Sequence, residues 1–212
     1  MAKVIPFPKT LGQRPYPPGS LRDADDFAPD PDLGEWVSAM FIAPDGPLHN
    51  PRHLHLREAR IGWLWTSAEQ TNRDKTTAGQ CELVPPLQRK WSSARAHWLF
   101  EHWFTLTPDF IITIDAGFAA SADDWSFCAL IEHELCHAAQ DVDMFGEPRF
   151  DREGHPIFRI IGHDVEQFND VVERYGAAAA GVDHMARLAN AGPTVGQARM
   201  SAACGTCARR KA

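Results

Sequence analysis

The stretch from Ser121 to Val142 constrains this chain more than any other. Phe127, Ile131, Leu135 and Val142 recur 4, 4 and 7 residues apart. That spacing lays one apolar stripe along a helix and requires a core for it to cover. Ser121 is placed to cap the helix N-terminus, with Asp124 at the third helical position, close to a capping box. Inside this helix lies His133-Glu134-Leu135-Cys136-His137. Its two histidines are four apart, and a turn is ~3.6 residues, so both imidazoles leave the same face. The apolar stripe turns that face towards a cleft. Zinc takes neutral imidazole nitrogens at about 2.0–2.1 Å, and the spacing delivers two together. Glu134 is rotated by roughly 100° from His133, beside a metal rather than on it, which suits a general base for water. A surface helix with two solvated histidines is the competing reading. The uncharged flanks Leu130, Ile131, Leu135, Cys136, Ala138 and Ala139 weigh against it.

A catalytic zinc takes three protein ligands and leaves a fourth position open. His163 is the best third ligand, at the expected start of a helix from about His163 to Tyr175. That helix buries Val165, Phe168, Val172 and Tyr175 and stops at Gly176. A protonated His163 would meet the wrong end of the helix dipole, which favours its neutral form. Glu166, one turn along, and His155 remain alternatives. Asp164, Glu166 and Asp170 are available to hold a ligating ring in one tautomer.

Around this core the pattern is mixed. Leu33, Trp36, Val37, Met40 and Phe41 read as a short amphipathic helix. Residues 59–66 read as a strand with Ile61, Trp63 and Trp65 on one face, and 76–84 as a weaker strand with Cys81 and Leu83 in phase. A helix is expected from Ser92 to Phe104, its Trp98 and Trp103 in the core. Phe110–Ile114 is the clearest strand by composition, and an extended substrate is expected to pair along its edge. Residues 148–161 read as a hairpin turning at Asp151 to Gly154. Prolines at 6, 8, 15, 17, 18, 29 and 31 mark residues 1–31 as a disordered tail, and 177–212 as an Ala/Gly-rich tail, partly helical or disordered.

Composition mainly excludes. The net charge of -7 argues against nucleic-acid binding through bulk charge. No apolar run is long enough to span a bilayer, and the proline-broken start is no signal peptide, so a cytoplasmic location is expected. Five cysteines at irregular spacing do not make a disulfide framework. Cys128 and Cys136 read as buried small residues rather than nucleophiles. Cys204-Gly-Thr-Cys207 is half of a zinc ribbon with no second half, and reads as a flexible tail with free thiols, followed by the basic Arg209, Arg210 and Lys211. His53 and His55 form an HxH pair without a strand to present it. Tyr175 is the one nearby candidate to stabilise an oxyanion.

With these residues in hand, the chain resembles the SprT-like zinc metallopeptidases, and more closely a group of metallopeptidases encoded by phages. The matching segments are Ile131-Glu-His-Glu-Leu-Cys-His-Ala138, Gly162-His-Asp-Val-Glu-Gln-Phe168 and the strand Arg60-Ile-Gly-Trp-Leu-Trp65. The resemblance covers about residues 33–176. It implies zinc at His133, His137 and His163 with Glu134 catalytic. It also implies a small α+β zincin-like domain over 32–176, with a short mixed or antiparallel sheet packed on the metal helix. The stretch between His137 and His163 is longer than in relatives of the DNA-repair type, and Asp151-Arg-Glu-Gly-His155 is similar to their third-ligand segment, so His155 stays open. The expected activity is hydrolysis of peptide bonds by a zinc-activated water with Glu134 as base. The rivals are a non-catalytic zinc module and a nucleic-acid-associated protein.

Overall fold

A computed structural model of the chain describes residues 7–8, 13–21, 25–72, 75–84, 91–167, 169–179, 181–198 and 203–204. In chain order its elements are β1 (Phe27–Pro29), α1 (Pro31–Val37), a π-helical turn (Ser38–Ile42) and a 3-10 helix (Pro51–Glu58). Then come β2 (Ile61–Thr66), β3 (Thr71–Asn72), β4 (Lys75–Leu83), α2 (Trp91–Phe104) and β5 (Phe110–Asp115). The second half holds α3 (Ala116–Ser121), α4 (Asp124–His137), β6 (Ala138–Gln140), β7 (Phe158–Ile160), α5 (Asn169–Ala179), α6 (Asp183–Ala191) and β8 (Ala203–Cys204). This is the mixed α+β architecture expected.

The main sheet runs β1-β2-β5-β4-β3, with β8 also on β4, and β6-β7 form a separate pair. Register decides which residues share a face, because side chains alternate along a strand. Trp63 pairs with Ile112 and Trp65 with Ile114, while Cys81 pairs with Ile112 and Gly79 with Ile114. These residues therefore share one face of the sheet. Helix α4 packs on it: Trp65 stacks on Phe127 at 6.1 Å, and Phe127, Leu130, Ile131 and Leu135 are fully buried. The opposite face carries the buried Gly62, over which Phe104 of α2 closes so tightly that a β carbon would fall 2.8 Å from its ring.

Several expectations change. The cap of α4 is Asp123, whose carboxylate accepts from Ser126 N at 2.9 Å, and not Ser121. The Ser121 hydroxyl instead donates back to Gly117 O and Phe118 O at the end of α3. Helix α4 stops at His137, because Ala138 is extended (φ -82, ψ 109) and begins β6. Val142 is accordingly 36% exposed in a bridge to Pro148, not in the stripe. Between β6 and β7 the chain turns twice, first at Asp143 to Gly146 and then at the expected Asp151 to Gly154, where Phe150 bridges Pro156 and Gly154 N donates to Asp151 O at 3.2 Å. Helix α5 begins at Asn169 rather than near His163, and Tyr175 on it is 65% exposed. Val165 and Val172 are half-buried, and Phe168 lies outside the described residues. Gly176 interrupts the helix with φ 86. Trp98 of α2 is exposed and Trp103 half-buried, so that helix contributes less to the core than its aromatics suggest.

Parts of the proline-rich leader are built into the domain. Arg14 is buried, donating to Asp124 Oδ1 at 3.0 Å, Ala119 O at 2.9 Å and Ala122 O at 2.7 Å. Leu21 joins the core and Phe27–Pro29 pairs with β2. Proline is compatible with such an edge strand, since its missing N–H can face away from the ladder. Among the described residues no helix is long and apolar enough to cross a membrane.

Candidate metal centre

The site forms where α4 ends. His133 and His137 leave its last turn, and their Nε2 atoms are 3.3 Å apart. The chain then travels out and back through the β6–β7 ribbon, in which Ala138 pairs with Ile160. One step beyond that pair, Ile161 N donates to His137 O at 3.0 Å, and His137 Nδ1 donates to Ile161 O at 2.7 Å. A carbonyl only accepts, so this bond places the neutral ring's proton on Nδ1 and leaves Nε2 as a lone pair facing the cluster. For His137 the orienting group is thus a backbone carbonyl and none of Asp164, Glu166 and Asp170. Two residues further on, His163 Nε2 lies 3.1 Å from His133 Nε2. His163 sits in an irregular segment after β7 rather than at a helix start, so the helix dipole plays no part in its state. Burial pulls its pKa below the ordinary histidine value, and the neighbouring His137 lowers it further.

Three imidazole nitrogens converge here, and lone pairs this close repel unless a proton or a cation lies between them. Tetrahedral zinc with nitrogens at about 2.0–2.1 Å would set its donors about 3.3–3.4 Å apart. The observed separations of 3.3 and 3.1 Å fit that donor set. A fourth donor completes it: Cys204 Sγ lies 3.2 Å from His137 Nε2. All four ligand atoms lie within 4.8 Å of one another.

Glu134 is fully buried and packs against β4. A β carbon at Gly79 would fall 2.9 Å from its Oε1, so the absence of a side chain there lets α4 and its carboxylate approach the strand. On the other side the histidines open into a cavity of about 490 Å³, lined by His53, His55, Ala139, Val165 and Met185 among others. His53 is buried on the 3-10 helix, 3.5 Å from Glu132 Oε1. Asn50 Nδ2 donates to the same oxygen at 2.6 Å. Burial would raise the Glu132 pKa, but the bonds from His53 and Asn50 and the His53 charge outweigh it and hold the carboxyl low. His55 Nε2 is 2.9 Å from Ala138 O. This HxH pair therefore braces α4 from outside the donor cluster.

The other candidates lie elsewhere. His155 is in the ribbon's exposed turn with Asp151 and Glu153, and Glu166 is exposed outside the donor group. Tyr175 is exposed on α5, its ring under Arg174 at 5.6 Å. Cys128 is buried, and burial pushes its thiol up to about 12. Cys136 reaches the surface instead of being buried, but desolvation still raises its thiol to about 11, which does not suit a nucleophile. Cys204, read from sequence as part of a loose tail, is the donor that sequence reasoning missed. Its CxxC spacing was the available signal. Cys207 lies outside the described residues.

A family model described as "Putative phage metallopeptidase" matches residues 34–191, well over half the chain. The chain belongs to this family. No curated protein and no solved structure matches it. The phage metallopeptidase match spans β2, α4, the β6–β7 ribbon and all three histidines, and it reaches past Gly176 to the end of α6. Membership points to a metal-dependent hydrolase, and the donor cluster is where the fold gathers residues able to hold the metal.

Proposed function

We propose that this phage metallopeptidase is a zinc-dependent peptidase in which His133, His137 and His163 hold the ion and Glu134 is the general base. The observation that carries the reading is the convergence of three Nε2 atoms at 3.1 and 3.3 Å beside a buried glutamate. In such a site zinc acts as a Lewis acid that polarises a scissile carbonyl and acidifies water. The chain's own part is positional. Ile161 holds His137 in one tautomer from a backbone carbonyl that no side-chain change can remove. Glu134, packed against β4, takes a proton from water on one carboxylate oxygen and returns it to the leaving amine nitrogen.

The substrate class is a protein or peptide in extended form. Phe110–Asp115 cannot pair with it as expected, because β5 lies between β2 and β4 with both edges used. Of the strands with an open edge among the described residues, β4 is the one packed against Glu134. Gly79 to Leu83 pair with β5 on one side, while among the described residues 80–83 have no strand on the other. Backbone pairing along that edge would run a peptide past Glu134.

Metal analysis tests the ligand set. Wild type and His155→Ala should retain one zinc per chain and His163→Ala should lose it; the reverse pattern would remove His163. Glu134→Gln should keep zinc and lose peptide hydrolysis, and unchanged turnover would end the catalytic reading. Cys204 favours a second reading, a closed, non-catalytic four-donor site.

A further inference from the structure

We infer that Cys204 is a fourth, displaceable ligand and that its strand β8 is an internal plug, so that the full chain is a latent peptidase. This rests on the zinc peptidase reading above. The cluster offers four donor atoms, not three: Cys204 Sγ is 3.2 Å from His137 Nε2, and all four atoms lie within 4.8 Å of one another. A tetrahedral zinc with nitrogen at about 2.0–2.1 Å and thiolate sulfur at about 2.3 Å would separate those two donors by about 3.5 Å. The thiol proton leaves to solvent when the sulfur binds, as for any thiolate ligand.

Strand register explains why this cysteine arrives there. Ala203 pairs with Thr77 and Cys204 with Gly79, parallel to β4. Gly79 also pairs with Ile114 on its other side, so Cys204 shares the face that α4 covers. It is the same Gly79 against which Glu134 packs. The pairing that delivers sulfur to the metal therefore also occupies the β4 edge in front of the general base. A peptide on the open 80–83 edge that extends as far as Gly79, where Glu134 packs, would compete with β8 for the main-chain bonds at Thr77 and Gly79, which do not depend on sequence. The route of the C-terminal segment is itself anchored: a β carbon at Gly196 would overlap the Trp125 indole at the start of α4.

Two features favour a plug over a permanent structural site. A structural zinc is closed by its ligands and has no use for an adjacent buried carboxylate, yet Glu134 is fully buried beside this one. Among the described residues the ladder holding the cysteine spans Ala203–Cys204, and Cys204 is partly exposed, so the described pairing to be broken on release is short.

The test uses the full-length zinc-loaded protein and the variants Cys204→Ser and Cys204→Ala. X-ray absorption at the zinc edge should show a sulfur neighbour at about 2.3 Å in wild type and only nitrogen and oxygen in both variants. Alkylation of Cys204, followed by peptide mapping, should be slow in the zinc form and fast after chelation. Both variants should keep one zinc per chain and cleave an unstructured protein such as casein at least about tenfold faster than wild type. Absence of sulfur from the wild-type spectrum overturns the proposal even if the variants fail to fold. Sulfur present with zinc lost from both variants overturns the plug in favour of a structural site. Sulfur present with unchanged cleavage in the variants also overturns latency. Failure of the peptidase reading looks different: no zinc in any form, or no cleavage by wild type and variants alike with zinc and sulfur in place.

Discussion

Replacing Gly79 with alanine tests whether Glu134 is positioned by β4. A β carbon on Gly79 falls 2.9 Å from Glu134 Oε1, 3.0 Å from Leu130 Cδ1 and 3.1 Å from Glu134 Cγ, where ordinary contact begins at 3.4 Å. The oxygen must then retreat by about 0.5 Å, in a site packed too densely to absorb it freely. Overpacking of this kind costs about 1–3 kcal/mol of stability. Misplacing a reacting group by about 1 Å can cost about 10²-fold, so half that shift should lower kcat by about tenfold. KM should stay near wild type, since the lost interaction belongs to the transition state. The assay is steady-state peptide hydrolysis in the Cys204→Ala background, beside urea unfolding and zinc content, with zinc expected to be retained. Gly62→Ala supplies the control. Its β carbon collides with Phe104 at 2.8 Å on the opposite face, so it should lose comparable stability and leave kcat unchanged. If Gly79→Ala loses stability like Gly62→Ala and keeps its kcat, Glu134 is not held by the strand and the positional argument fails.

Two further predictions concern how α4 is held. Arg14→Ala strips a buried guanidinium from Asp124 and from two carbonyls at the end of α3, and should cost about 2–4 kcal/mol in denaturant unfolding; a loss below about 0.5 kcal/mol would show that the leader only rests on the domain. Asp123→Ala removes the α4 cap and should cost about 1 kcal/mol at neutral pH. The bond from Ser126 N lowers the Asp123 pKa in the folded chain. The cap's contribution is therefore complete above the unfolded carboxyl value of about 3.9 and fades as pH falls through the lower folded one. The stability gap between wild type and Asp123→Ala should close below about pH 4; a gap that persists there would point to packing instead of the charged cap.

What could be read from sequence was what local pattern determines. The stripe of Phe127, Ile131 and Leu135 is buried as one helix face, and Ile61, Trp63 and Trp65 share one face of β2, although that strand is buried on its other face as well. The position of β5 was not legible, because Phe110-Ile-Ile-Thr-Ile114 is equally apolar at an edge or in the middle. Only its pairing with both β2 and β4 shows that it has no free edge. Arg14 was hidden by its prolines, which signal an absence of regular structure and say nothing about whether an irregular segment is buried. Cys204 was hidden by distance along the chain. A single CxxC has no local partner, and what gives this cysteine a neighbourhood is a strand register set far away on β4.

The end of α4 decides whether the site forms, because a helix continuing to Val142 would have prevented it. Had α4 continued to Val142, no strand would have left His137, and nothing would have paired with the returning chain. Its termination at Ala138 starts β6, and the β6–β7 register sets Ile161 opposite His137. There two bonds form between the same pair of residues: Ile161 N to His137 O at 3.0 Å and His137 Nδ1 to Ile161 O at 2.7 Å. The first continues the ladder and the second orients a ring of the donor cluster. With Ile161 pinned, His163 two residues later has little choice but to reach the same point in space. The break in the helix, the tautomer of one histidine and the arrival of another are therefore consequences of a single backbone event. A sequence pattern that scores helix and strand separately cannot see it, because Ala138 is at home in either.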